Sequence, residues 1–306
     1  MQRQYKNNLS DFKNWGQKEH AKDWLLYPHN IGTHLSIDET AFTNGDLYTI
    51  LTNKSAKGKQ GTLVAMIKGT KSDDIIKILR KIPEKLRYSV QEITLDLAVN
   101  MNLIVKKVFP KANKVIDRFH VQKLAFEAVQ EIRIKYRWEA IDNENEAIKN
   151  ARENNLKYKP EYLENGETAR ELLARSRYLL FKNENKWTER QNERAKILFE
   201  KYPDIKQAYE LSQKLSWIYQ KTNNKTIALS RLARWHEKVR QANFKSFNTI
   251  SKTIEINYND ILNYFENRST NASAESFNAK IKGFRTKLKG VRKIDFFLFR
   301  LEKLFA

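Results

Sequence analysis

The stretch THLSIDETAFTNGDLYTILTNKSAKGKQGTLVAMIKG, residues 33–69, decides the fold. Its first part, THLSIDETAF, alternates and is rich in β-branched residues, which predicts a strand. Asn44 and Gly45 form a two-residue hairpin signal, so NGDLYTILTNK turns back as a second strand. After the basic turn KSAKGKQG, the apolar run GTLVAMIKG reads as a third. Three consecutive antiparallel strands follow. Because side chains alternate along a strand, Asp38 and Glu39 must face opposite sides of the sheet.

Beyond residue 69 the pattern changes. KSDDIIKILRKIP places Ile75, Ile76 and Leu79 on one helical face, with Ser72 as N-cap and Pro83 as stop. Asp73 and Asp74 fall in its first turn, where acids suit the helix dipole. QEITLDLAV (91–99) is a strand ending at Asp96, MNLIVKKVFP is a helix closed by Pro110, and NKVIDRFHV (113–121) is a fifth strand that leads into helix. The order βββαβαβα predicts an α/β chain of RNase H-like type: a mixed sheet whose later strands enter through right-handed crossovers. In such a sheet the first and fourth strands are neighbours, which sets Asp38 beside Asp96. Two carboxylates so placed can share divalent cations about 3.5–4 Å apart that act on a phosphodiester.

Glycine marks the next boundary. Five of the nine glycines lie between Gly32 and Gly69, and only Gly166 lies between Gly69 and Gly283. The expected division is a helical or linker segment at 1–33, a first part of the α/β core at 34–125, a large all-helical insertion at 126–266, and a last part of the core at 267–306. That last part holds NRSTNASAESFNAKIKGFRTKLKGVRK (267–293). Thr270 or Asn271 can cap a helix from about Ala272, with Glu275 in its first turn. Phe277, Ile281, Phe284 and Leu288 recur at helical spacing, so one face of that helix can lie on the sheet. Glu275 borders this face as a third carboxylate. Lys280, Lys282, Arg285, Lys287, Lys289, Arg292 and Lys293 follow it as a cationic track for DNA phosphates. Arg118, in DRFH, is a further candidate DNA contact. Tryptophans at helical spacing more often pack a core, but Trp235 sits among bases in RLARWHEKVR and could stack on or wedge into DNA.

Charge agrees with such a partner. Lysine and arginine number 57 against 36 acids, a net charge of +21, which implies a polyanion: nucleic acid, with an anionic membrane surface as the competing reading. No apolar run reaches the roughly 20 residues of a membrane span, and the start MQRQYKNNLSDFKNW lacks the apolar core of a signal peptide. A cytoplasmic, nucleoid-associated protein is expected. Without cysteine, and with five scattered histidines, any metal must be held by carboxylates.

The set LSIDETAF, ITLDLAVNMN, VIDRFHVQK and ILNYFENRSTNASAESFNAKIKGFRTKLKGVR resembles the DDE transposases of bacterial insertion sequences, of the ISL-three type and its Aon-like branch. The resemblance spans residues 34–305. It implies that Asp38, Asp96 and Glu275 are the catalytic triad and hold two Mg²⁺ ions, with Mn²⁺ able to substitute. It also implies hydrolysis at transposon ends followed by attack of the freed 3′ hydroxyl on target double-stranded DNA. Asp117 and His120 resemble an Asp-x-x-His motif in which the histidine lies near the scissile phosphate; a strand-end acid and a buried histidine have an equal claim. Relatives carry a cysteine-rich zinc element and a helix-turn-helix that this sequence lacks, so a separate end-binding protein encoded upstream is expected, with a homodimer or larger assembly on DNA. An RNase H-like nuclease, or a domesticated DNA-binding protein that has lost cutting, would share the charge.

Overall fold

The computed structural model describes residues 4–43, 46–288 and 293–306. The Asn44–Gly45 turn and the candidate contacts Lys289 and Arg292 lie outside the described residues. The chain divides into two units, one formed by residues 1–118 with 259–306, the other by 119–258.

The first unit is built on a six-stranded mixed sheet. Its strands are β1 (Trp24–Leu26), β2 (His34–Thr43), β3 (Asp46–Asn53), β4 (Leu63–Lys68), β5 (Glu92–Leu95) and β6 (Asn113–Ile116), in the spatial order β1-β4-β3-β2-β5-β6. β2, β3 and β4 pair antiparallel, as a run of short connections requires, while β5 and β6 join in parallel after helical crossovers. Those crossovers hold α1 (Ser72–Leu79), α2 (Glu84–Tyr88) and α3 (Val99–Val108). β6 is shorter than the sequence pattern suggests, because helix α4 (Arg118–Glu153) begins two residues after it. The segment before β2, expected as helix or linker, contributes β1. Leu25 of β1 is fully buried and pairs with Met66, so three residues suffice to cover the open edge of β4.

Each face of the sheet carries its own helices. On one face, α1 and α3 bury Ile75, Leu79, Met101, Ile104, Val105 and Val108. On the other lie α12 (Ala272–Lys287) and α13 (Ile294–Phe305), whose Phe277, Ile281, Phe297 and Leu301 share a core with Tyr48, Ile50 and Met66. Phe284 and Leu288 pack at the margin of that core, completing the expected apolar stripe. The chain start is fastened to α13 as well. Trp15 Nε1 and the Tyr27 hydroxyl donate to Glu302 Oε2 at 2.6 and 2.7 Å, and burial with this carboxylate contact drives the Tyr27 phenol well above its ordinary pKa. Before α12 come α10 (Tyr258–Leu262) and α11 (Tyr264–Asn267).

The second unit is helical. After α4 come α5 (Ala169–Arg175), α6 (Glu189–Lys201), α7 (Pro203–Lys221), α8 (Lys225–Ala242) and α9 (Lys245–Ile256). Thr168 with Glu171, and Thr188 with Gln191, form capping boxes at the starts of α5 and α6. Buried Glu167 accepts from Arg194 Nε at 3.0 Å and from Arg175 Nη1 at 3.1 Å, and the Arg194 hydrogen bonds hold its carboxyl below the usual range.

Candidate active site

Three aspartates lie level across the parallel part of the sheet. The register pairs Ser36 with Thr94 and Thr94 with Val115; two residues further along each strand stand Asp38, Asp96 and Asp117. Adjacent strands are about 4.8 Å apart, so this is one row at the carboxyl ends of β5 and β6. The Asp117 N–H donates to the Leu95 carbonyl at 2.9 Å, and Asp117 itself is buried.

Asp38 is half-buried, and both of its oxygens are engaged. Oδ1 accepts from the Glu39 N–H at 2.8 Å and Oδ2 from Asn278 Nδ2 at 2.7 Å. Asn278 stands three residues after Glu275, on the same side of α12. The bond therefore draws the helix that bears Glu275 onto the strand that bears Asp38. Glu275 is exposed at the edge of the buried stripe. Asp96 Oδ1 accepts from the Ala98 N–H at 2.8 Å, which turns the chain into α3. Glu39 faces the opposite side of β2, where Asn100 donates to it at 3.3 Å. Burial pushes the Glu39 carboxyl above its usual pKa, and the nearby negative charge of Asp96 adds to the effect.

Beneath the aspartates lies a polar network. Glu92 and Thr94, on the same face of β5 as the row, meet Lys54, whose ammonium donates to Thr94 Oγ1 at 2.7 Å and to Glu92 Oε1 at 3.4 Å. Asn267, at the end of α11, donates to the other Glu92 oxygen at 3.3 Å. Burial pulls the Lys54 pKa down, and Glu92 and Asp117 pull it back. A desolvated lysine and glutamate here tie the turn after β3 to the strand before Asp96 and to the segment that leads into Glu275. The signal in the sequence was Glu92, an acid in an otherwise apolar strand, two positions before Thr94.

At the start of α12, the Asn271 side chain is fully buried and neither its oxygen nor its nitrogen has a partner; the Ser273 hydroxyl is likewise unpaired. Asn271 is the N-cap residue, as expected, but its side chain makes no capping bond; the Thr270 hydroxyl accepts instead, from the Ala272 N–H at 3.4 Å. Buried amides normally find partners, so these orphaned groups fit a site completed by a bound polar ligand. For a hard divalent cation the donor type is right, since Asp38, Asp96 and Glu275 all offer oxygen. Among the described residues, however, no group of three such side chains is gathered as a ready metal cage.

The other candidate contacts divide. Lys282, Lys287 and Lys293 are exposed and Arg285 is half-buried. Lys280 is engaged, its ammonium donating to the Gly58 carbonyl at 2.7 Å. Arg118 Nη1 donates to the Tyr264 hydroxyl at 3.2 Å, and its guanidinium lies 5.9 Å from the Tyr264 ring centre. His120 falls in the second unit, its ring edge-on to Phe119. Trp235 must be corrected: it is 1% exposed and its indole N–H donates to the Leu211 carbonyl at 2.9 Å, so it is interior packing and offers no face to DNA.

A family model described as a transposase, of the ISL3 DDE type, matches residues 35–301. The comparisons with curated proteins and with solved structures gave no match.

Proposed function

Since the chain belongs to the ISL3-type DDE transposase family, we propose that it is the catalytic chain of a DNA transposase, with an RNase H-like sheet bearing Asp38, Asp96 and Glu275. This family generally uses divalent metal ions and binds DNA. Asp38, Asp96 and Glu275 would hold two Mg²⁺ ions, with Mn²⁺ as substitute, and those ions when bound would polarise the phosphodiester and stabilise its leaving oxygen. The observation that carries this reading is the Asn278–Asp38 bond, which joins the helix of Glu275 to a strand whose register sets Asp96 level with Asp38.

The chain's own groups have separable tasks in this reading. Asn278 orients the Asp38 carboxylate by donating to one oxygen. The N–H of Ala98 orients Asp96. Water breaks the P–O3′ bond at the transposon end, leaving a 5′ phosphate and a 3′ hydroxyl, and that hydroxyl then attacks a target phosphodiester by transesterification with no covalent enzyme intermediate. Exposed Lys282, Lys287 and Lys293, together with Lys289 and Arg292, hold backbone phosphates. Both transposon ends must be held, so a homodimer or larger assembly forms on DNA, with a separate end-binding protein, in a bacterial cytoplasm.

The test is cleavage of labelled DNA carrying the gene's flanking repeats in Mg²⁺ or Mn²⁺, with and without any protein encoded upstream. Metal-dependent nicks at the repeat boundary that vanish in Glu275→Gln are expected. Cutting that ignores the repeats would replace the transposase reading with a structure-selective nuclease.

A further inference from the structure

The turn between β3 and β4, residues 54–61, concentrates charge in a form that is rigid before any partner arrives. Lys54, Lys57 and Lys59 fall within six residues. The Asn53 side chain accepts from the Ser55 N–H at 3.0 Å, and the Lys57 and Lys59 N–H groups donate back to the Lys54 and Ala56 carbonyls at 3.1 and 3.0 Å. Lys57, Gly58 and Gly61 hold positive φ values of 52°, 73° and 83°. For Lys57 this left-handed backbone is strained, so the surrounding contacts must over-determine it.

Two of those contacts are made by lysines whose ammonium groups bond to the protein itself. Lys54 bonds Glu92 and Thr94 on β5, and Lys280 reaches across from α12 to the Gly58 carbonyl. The fit at Gly58 is close: a Cβ there would stand 2.8 Å from Lys280 Nζ. Lys57 and Lys59 are left exposed, with no ion pair among the described residues. Lys57 and Lys59 add two exposed charges to a turn that already carries Lys54 and is bonded by Lys280, and like charges so close together repel one another. A polyanion would relieve them, and α12, which bears the exposed basic residues after Glu275, is already fastened to this turn.

We propose that the 54–61 turn is a preorganised phosphate-binding element for the DNA backbone, in which Lys57 and Lys59 contact phosphates and Lys280 positions the turn rather than touching DNA. This rests on the DNA-binding reading above but not on the assignment of the three acids. It reassigns Lys280 from the cationic track to a supporting role and adds two contacts on a strand connection remote in sequence from that track.

The experiment is fluorescence anisotropy of the full chain on a short mixed-sequence duplex, in EDTA, over a series of KCl concentrations. Lys57→Gln with Lys59→Gln should weaken binding about tenfold at low salt and reduce the slope of log K against log salt by about 1.8, the release expected for two phosphate contacts. Lys280→Met should weaken binding in the wild-type background yet add nothing to the double variant. An unchanged slope in Lys57→Gln/Lys59→Gln would overturn the proposal, as would an equal fall on removing the same charge at Lys135 and Lys149, which are paired with Glu139 and Glu153. An additive loss from Lys280→Met would make Lys280 itself a phosphate contact and overturn its positioning role. Failure of the DNA-binding reading would show in the wild type, as a flat salt profile, whereas failure of this inference shows only in the variants.

Discussion

The two units use buried polar groups to opposite ends. In the first, Lys54, Glu92, Thr94 and Asn267 converge beneath Asp96 and Asp117, and Asn278 converges on Asp38. In the second, the Glu167 pairs with Arg175 and Arg194 tie the start of α5 to α6, capping boxes close helices, and the Trp235 N–H meets a backbone carbonyl. Polar groups that gather at strand ends around further acids keep charge available to a ligand. Those that pair off locally complete the fold. The Asn271 amide of the first unit belongs to neither pattern, being fully buried without a partner.

Four substitutions would break or sharpen that contrast. The largest stability effect is expected from Trp235→Ala, which empties a fully buried indole site in the second unit and costs about 3–5 kcal/mol. Denaturant unfolding checks it; a loss below about 1 kcal/mol would mean that the indole is not core. Next is Lys54→Met, which leaves Glu92 buried without its cation and costs about 3 kcal/mol. Combining it with Glu92→Leu should recover most of that stability, because a buried pair is often replaceable by apolar side chains. The same double variant should not recover DNA cleavage if the network serves Glu275 through Asn267. Restored cleavage would reduce the network to a structural role.

The smallest effect is a pH response in the second unit. His236 is half-buried against Ser251, and burial lowers its pKa while Glu255 opposes the shift. A folded-state value below the unfolded one, about 6.5, gives stability that is complete above that pH and is lost as pH falls toward the folded value. Unfolding midpoints taken from about pH 8 down to pH 5 should decline in the wild type and flatten in His236→Gln. A parallel decline in both would assign the response to other groups.

Much of the first unit was legible because its signals are local. Alternation in residues 33–69 marks β2, β3 and β4, and the stripe Phe277, Ile281, Phe284, Leu288 marks the buried side of α12. β1 was not legible, since three residues carry no period and its strand form depends on the open edge of β4. The start of α4 two residues after β6 was likewise hidden, because the apolar pattern of VIDRFHV suits either structure. Trp235 looked like a DNA contact because basic neighbours in sequence say nothing about which way a helix turns in its bundle.

Sequence by itself determined the types of the elements from β2 to β6, the opposite facing of Asp38 and Glu39, the placement of Glu275 at a helix start, and the excess positive charge. These follow from backbone periodicity and counting, which need no partner segment. Only the tertiary structure decided that Asn278 holds Asp38, that Lys54 and Lys280 bond to the protein while Lys57 and Lys59 have no ion pair among the described residues, and that Glu92 meets Asn267 across 175 residues of chain. Hydrogen bonds and desolvation act over a few ångströms, and which groups come that close is settled by how strands and helices pack rather than by their order.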